Sequence, residues 1–337
     1  MTIASEKAKE FILKYKDNKN ITKKELARLL YSKYPKIFKS IEQARQNIRY
    51  LTGSHGKSSR AKISRTNKVT IGAINNYNYL INELPEAVRE QKSPYCMDIP
   101  VKGLKGIVFG DVHMGWHMEE MLAQMIHYGR IKDINCIIIN GDLMDNHDLS
   151  RFLKDPSKRT FWYELQETKK FLGLLRYYFP SAKIVINEGN HDARYKKYIF
   201  EHAPALADVE YLDLDLLIGC PEYNIHFYKG GRGIMLQNYM VFHGHEFGVG
   251  GGKNPAKNFM NSGYTNMIIS HVHKTDYAQV KTANNEFKVV HTIGCMSQLD
   301  PDYRAVGNGY NNGFLYFETT PKGLNIKNWN LNTDTLI

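Results

Sequence analysis

Five stretches of this chain end an apolar run in Asp, Asn or His. Asp111-Val112-His113 follows Ile107 to Phe109, Gly141-Asp142-Leu143-Met144-Asp145 follows Asn135 to Asn140, and Glu188-Gly189-Asn190-His191-Asp192 follows Lys183 to Asn187. Further on, His243-Gly244-His245-Glu246 follows Tyr239 to Phe242, and His271-Val272-His273 follows Met267 to Ser270. Carboxylates, an amide and imidazoles make a mixed oxygen and nitrogen donor set. Such a set suits Mn²⁺, Fe or Zn²⁺, whereas Ca²⁺ prefers oxygen alone. The donors are too many for one tetrahedral zinc, so two ions are the economical reading. Paired cations clamp a phosphate and lower the pKa of a shared water.

Donors scattered over 160 residues need elements that bring them together. Short apolar runs bounded by glycine are expected to be buried strands. Asp111 and His113, two apart on an extended chain, would then share one side. The carboxyl ends of strands are where open α/β sheets bind their ligands. Met118 to Tyr128 and Phe161 to Phe179 have the spacing of helices between those strands, giving β-α-β order. After Asn238 the rhythm turns to strands: Tyr239 to Phe242, Met267 to Ser270, Lys288 to Ile293 and Phe314 to Glu318.

The order and spelling of the five motifs resemble the calcineurin-like metallophosphoesterases, which carry D-x-H, G-D-x-x-D, G-N-H-D/E, H-G and G-H-x-H in this sequence order. Ser270 stands where that family usually has glycine. The resemblance covers roughly Val101 to Glu318 and implies an α/β fold, two packed mixed β-sheets flanked by helices in a four-layer sandwich. It also implies roles. Asp111, His113 and His273 would hold one metal, Asn190, His243 and His271 the other, with Asp142 bridging. The ions would be divalent transition metals, Mn²⁺ first, with Fe, Zn²⁺ or Ni²⁺ as alternatives. His191 resembles the family's general acid, able to protonate a departing alkoxide. Asp145 would hydrogen-bond His191 and hold its orientation. In the family's phosphoprotein phosphatases an arginine follows that aspartate; Asn146 stands here, which argues against that substrate class.

Charge divides the chain. Of a net +11, residues 1–70 carry +13, with 18 Lys and Arg against 5 Asp and Glu, and the remainder carries −2. A nearly neutral catalytic body with a basic head predicts that the head meets a polyanion. The head reads as three short helices: Ser5 to Tyr15, then one opened by a Thr22/Glu25 capping box, then one opened by a Ser40/Gln43 box. Leu26, Leu29 and Leu30 face inward in the second, and Ile41, Ala44, Ile48 and Leu51 in the third. The third is studded with Arg45 and Arg49 among Gln and Asn, which resembles a helix-turn-helix reading helix, and nucleic acid is the expected partner. A solvated basic bundle is the plainer alternative.

Gly53 to Lys68 reads as a basic arm and Val69 to Glu90 as a helix. The expected domains are therefore residues 1–68, a helical linker 69–98, and a catalytic domain 99–337. Gly56-Lys57-Ser58 fails as a phosphate-binding loop, because the earlier glycine it needs would fall at Leu51. Beside the metal ligands, His147, Arg151, Arg194, His245 and Lys253 are candidate substrate contacts. The loops Asp148 to Thr160 and Gly248 to Pro255, the latter with four glycines, are candidate shapers of substrate choice. Four scattered cysteines without C-x-x-C, no secretory leader and no membrane-length apolar run predict a cytoplasmic protein with no membrane partner. The expected activity is a dinuclear-metal phosphodiesterase or nuclease. The alternatives are a phosphomonoesterase whose head serves localisation, and a non-catalytic DNA-associated protein.

Overall fold

The protein is described by a computed structural model covering residues 6–15, 21–52, 95–98, 103–152, 160–263, 265–301 and 307–336. The expected arm at 53–68, the expected helix at 69–90 and residues 153–159 of the loop Asp148 to Thr160, with its basic Lys154, Lys158 and Arg159, lie outside the described residues. The chain divides into two compact units, residues 1–90 and 91–337.

In the first unit the described residues form three helices: α1 (Glu6–Tyr15), α2 (Lys23–Lys33) and α3 (Ile41–Thr52). Its core is Ala8, Ile12, Leu26, Ala27, Leu30, Phe38, Ala44, Ile48 and Leu51. Phe38 comes from the α2–α3 connector and is fully buried, which explains why that connector is longer than a tight turn. The Thr22/Glu25 box forms as expected. The Ser40 box forms by half: Ser40 Oγ accepts from the Gln43 N–H, but the Gln43 side chain accepts from Lys39 N instead of Ser40 N. Leu29 and Ile41, read as inward, are 47% and 42% exposed, because Ala27 and Phe38 complete the core in their place.

The second unit holds two mixed six-stranded sheets. One runs in the order β12 (Gly323–Asn330), β11 (Gly313–Thr320), β2 (Lys105–Phe109), β3 (Cys136–Asn140), β4 (Lys183–Asn187) and β5 (Ile225–Tyr228). The other runs β1 (Tyr95–Asp98), β6 (Gly233–Leu236), β7 (Tyr239–Phe242), β8 (Asn266–Ile269), β10 (Phe287–Thr292) and β9 (Asp276–Lys281). β2 to β5 are mutually parallel, as are β7, β8 and β10. Tyr95–Asp98, at the end of the stretch read as a linker, is a strand that pairs with β6.

Three apolar layers show the stacking. Val108, Ile138 and Val185 meet Ile234, Val241 and Ile268 between the two sheets. The other face of the first sheet, with Ile107, Ile137 and Ile184, packs on α4 (Glu119–Ile131) and α5 (Phe161–Tyr178) through Leu122, Met125, Leu172 and Leu175. The outer face of the second packs on the helix Pro255–Ser262 through Ala256, Phe259 and Met260. Helix–sheet–sheet–helix is thus the four-layer order expected. Strands buried on both faces must be apolar at every position, which is why β3 reads Cys-Ile-Ile-Ile before its terminal Asn140. Two more helices, α6 (Arg194–His202) and the short α7 (Leu214–Leu217), precede β5, and Pro255–Ser262 is α8. Among the described residues no helix is long and apolar enough to cross a membrane.

Candidate metal centre

The ligand-bearing segments all leave the carboxyl ends of parallel strands: β2, β3 and β4 of one sheet, β7 and β8 of the other. The reading of Asp111 and His113 as neighbours on an extended chain needs correction. β2 ends at Phe109, and both residues are left-handed, with φ of 51° and 46°. Asp142, His271 and His273 share that backbone, with φ of 52°, 66° and 56°. Non-glycine residues enter this region at a cost of about 1–2 kcal/mol each, so five residues in three turns are held sharply curled to bring their side chains together. Glycine allows the closest approaches. A Cβ on Gly189 would stand 2.2 Å from Asp142 Oδ1, and one on Gly141 2.3 Å from His243 Nδ1.

Asp142 is the hub. Its Oδ1 accepts the His191 N–H at 2.8 Å. Its Oδ2 faces His243 Nε2 at 3.2 Å, His191 Nε2 at 3.9 Å and His113 Nε2 at 4.0 Å. On one side Asp111 Oδ2 accepts the His271 N–H at 2.8 Å, and its Oδ1 lies 3.4 Å from His273 Nε2. On the other, Asn190 Oδ1 is 3.2 Å from His243 Nε2. Donor atoms of Asp111, His113 and His273 form one tight group, and those of Asp142, His243 and His271 another.

Outer contacts set which atom each ligand presents. His243 Nδ1 donates to Asn140 O at 2.8 Å, so Nε2 carries the lone pair that looks inward. His113 Nδ1 donates to Asp145 Oδ1 at 3.0 Å, with the same effect. The same Asp145 oxygen takes a second bond, 2.8 Å from His191 Nδ1. Asn140 Nδ2 donates to Phe242 O and to Ser270 Oγ, and its Oδ1 accepts from Asn187, so buried amides at two strand ends tie the sheets beneath the site. Asp192 accepts from the backbone N–H groups of Leu143, Met144 and Gly189, joining the two loops that carry Asp142 and Asn190.

Electrostatics follow from this crowding. Burial opposes ionisation of Asp142, yet His243 and His191 beside it hold the carboxyl well below its usual range. Burial likewise works against a charged His243, but the Asp142 carboxylate outweighs it and raises the imidazole to about 10. His271, half-buried and facing His243, falls to about 4 because its surroundings disfavour a charged ring. Burial and the Asp142 charge push Asp192 up to about 7.

The donor set fits divalent cations. His113 Nε2 is buried without a hydrogen-bond partner, and Asp111 Oδ1 has only the 3.4 Å approach of His273 Nε2; a buried polar group left unpaired costs about 1–3 kcal/mol, which an ion would remove. All seven expected ligands, with Asp145 and His191, therefore meet in one place. Five of them, His113, Asp142, His191, His271 and His273, line a cleft of about 250 Å³ whose far walls are Val249 to Gly252, Lys274 and Tyr310. A larger cavity of about 540 Å³ between α4 and α5 is lined by Leu122, Ile126, Phe171 and Leu174 and carries none of the seven donors. Donor chemistry, and not size, identifies the site.

The other expected contacts divide. Arg194 does not line the cleft but reaches its edge through His191: Nη1 donates to Asp145 O at 2.8 Å and Nη2 lies 3.1 Å from His191 Nε2. His245 is half-buried behind His243, ring centroids 5.4 Å apart, as an outer residue. His147 begins a 3₁₀ turn, and Arg151 and Lys253 are exposed; none of these three lines the cleft. Asn146 is buried, donating from its backbone to Glu164 and from its amide to His191 O, so it braces the loop without facing the cleft. Glu164, Asn140, Asn187 and Tyr310 were missed. Tyr310 packs on His273 with centroids 4.8 Å apart, and no neighbouring motif marks it in the sequence.

The family profile described as calcineurin-like phosphoesterase matches residues 104–299. The protein named Gene 54 protein of Mycobacterium phage D29 is 28% identical over 183 residues, covering 50% of this chain and 68% of that protein. Among solved structures, vacuolar protein sorting 29 from Cryptosporidium parvum is 9% identical with a TM-score of 0.34, over 67% of this chain and 97% of that one. The phosphoesterase Yfce from E. coli is 15% identical with a TM-score of 0.32, over 64% and 91%. With the profile spanning more than half of its length, this chain belongs to the calcineurin-like phosphoesterase family and is a metal-dependent phosphoester hydrolase.

Proposed function

We propose that the protein hydrolyses phosphodiesters in nucleic acid, with two divalent transition-metal ions, Mn²⁺ first among them. Asp111, His113 and His273 would hold one ion and Asn190, His243 and His271 the other, with Asp142 between them. Bound there, the ions supply charge neutralisation on the phosphate and a water of lowered pKa. The chain's own residues supply the rest. His191 presents Nε2 to the cleft because Nδ1 is taken by Asp145 Oδ1 and Asp145 O, at 2.8 and 3.0 Å. A proton carried on Nε2 would pass to the leaving oxygen, and Asp145 fixes the ring for that transfer.

The observation that carries the substrate reading is the segregation of charge. The +13 of residues 1–70 sits apart from a catalytic chain of −2. On α3, Arg49 is exposed, and Arg45 is half-buried with a weak 3.4 Å pair to the exposed Glu42. Such a surface favours phosphate backbones over neutral partners. The test is hydrolysis by the metal-loaded protein of an aryl phosphomonoester, an aryl phosphodiester, single-stranded DNA, duplex DNA and RNA. Cleavage of the diester and at least one polymer is expected. Turnover confined to the monoester would overturn the nucleic-acid reading.

A further inference from the structure

We propose that Arg194 is a catalytic residue that grips the leaving-side oxygen of the scissile phosphate. The assignment rests on the phosphodiesterase reading of the site. Arg194 opens α6, three residues after His191, and its side chain is only 19% exposed. A guanidinium cannot shed its charge, so one this buried calls for an anion close by. Here the nearest carboxylate oxygen recorded for it is Asp145 Oδ1 at 3.9 Å, and that atom already takes the two shorter bonds from His113 and His191. Two guanidinium donors are committed: Nη1 to a neutral carbonyl, Asp145 O, at 2.8 Å, and Nη2 to a neutral nitrogen, His191 Nε2, at 3.1 Å. Both are weak acceptors for a cation.

His191 Nε2 stands between the guanidinium and the centre, 3.9 Å from Asp142 Oδ2. A phosphate oxygen arriving beside it is a charged acceptor at the same point, and an ionic hydrogen bond is about twice as strong as a neutral one. Nη2 would therefore leave Nε2 for the oxygen, freeing the imidazole nitrogen for its own role. In the reaction, water oxygen bonds to phosphorus and its proton goes to solvent. The bond from phosphorus to the leaving oxygen breaks with its electron pair on that oxygen, which takes its proton from His191. Arg194 transfers nothing; it stabilises the charge while it grows. The Nη1 bond to Asp145 O fixes where that charge is met.

The experiment compares wild type, Arg194→Lys and Arg194→Ala, each metal-loaded, in three measurements. The first is binding of inorganic phosphate by calorimetry. The second is turnover of aryl phosphodiesters with good and poor leaving groups. The third is rescue of Arg194→Ala by added guanidinium. Loss of one preorganised donor should slow turnover by roughly 10²-fold, more for the poor leaving group, and weaken phosphate binding about tenfold. Arg194→Lys should recover only part of this, because it keeps the charge without the fork. Guanidinium should restore turnover where ammonium does not. Arg194→Ala with unchanged phosphate affinity and an equal loss on all leaving groups would overturn the proposal, as would loss of bound metal from both variants, which would make Arg194 a brace for Asp145. Inactivity of the wild type on every diester would instead refute the phosphodiesterase reading beneath it.

Discussion

At the scale of single residues, the centre is a competition between protons and cations for the same lone pairs. The Asp142 carboxylate raises His243 to about 10, so at neutral pH that imidazole must give up a proton before it can bind an ion. Apparent metal affinity should therefore climb steadily from pH 6 to pH 9. Calorimetry in buffers of different ionisation heat should register the released proton, and a pH-independent affinity would show that His243 is not a ligand. Asp145 offers a second test. One of its oxygens receives both His113 and His191, so it joins a proposed metal ligand to the proposed proton donor. Asp145→Asn keeps an oxygen that can accept both rings but removes the negative charge that strengthens both bonds. Metal affinity should drop by about 10–100-fold, the usual cost of losing such a support, and the leaving-group dependence of turnover should steepen together with it.

At the scale of elements, helix α5 braces the loop that carries Asp145. Glu164, fully buried in its first turn, accepts the Asn146 N–H at 2.6 Å. Burial raises its carboxyl to about 8, from an unfolded value near 4.5. The folded state thus holds a proton that the unfolded state has lost between those values, and stability conferred by the neutral form is complete below pH 4.5 and gone by about pH 8. Glu164→Gln keeps an acceptor and has no charge to bury, so it should flatten the decline in melting temperature between pH 6 and 8.5 and melt above the wild type at the upper end. A steeper decline would mean that the ionised form is the one the loop needs.

Elements also explain how far the sequence was legible. Strands β2, β3, β4, β7 and β8 were readable because both faces are covered, which forces unbroken apolar runs ending in donors. Strand β9 alternates and lies mostly exposed at a sheet edge, and β12 reads Gly-Leu-Asn-Ile-Lys-Asn-Trp-Asn, so neither carries that signal. The Asn140 amide meets its partners Phe242 and Ser270 across 102 and 130 residues, a relation that no local spacing encodes. The left-handed backbone at Asp111 and His113 was hidden for a related reason: apolar periodicity places a strand but not the turn that follows it.

For the whole molecule, division into a helical unit and a catalytic unit predicts separable properties. A chain starting at Gln91 keeps β1 and every proposed ligand, whereas one starting at Asp98 would strip that strand from the sheet. The former should hydrolyse a small chromogenic diester at the wild-type rate and lose most affinity for long duplex DNA. The full chain should bind such DNA with a log–log salt slope of about −0.9 per phosphate contacted, to be read by fluorescence anisotropy across a salt series. Equal DNA affinity of both chains would leave the head without a recruiting role.

The spread of ligands over both sheets bears on how the protein folds as well as on what it does. Asp111 and His273 are far apart in the chain and come from strands of different sheets, so the cation site is complete only when the sandwich has closed. Contacts of such long sequence separation form late. Ions cannot seed the fold, but they can latch it. Mn²⁺ should leave the refolding rate unchanged and slow unfolding in proportion to its concentration above Kd, an asymmetry that stopped-flow chevrons with and without chelator would expose.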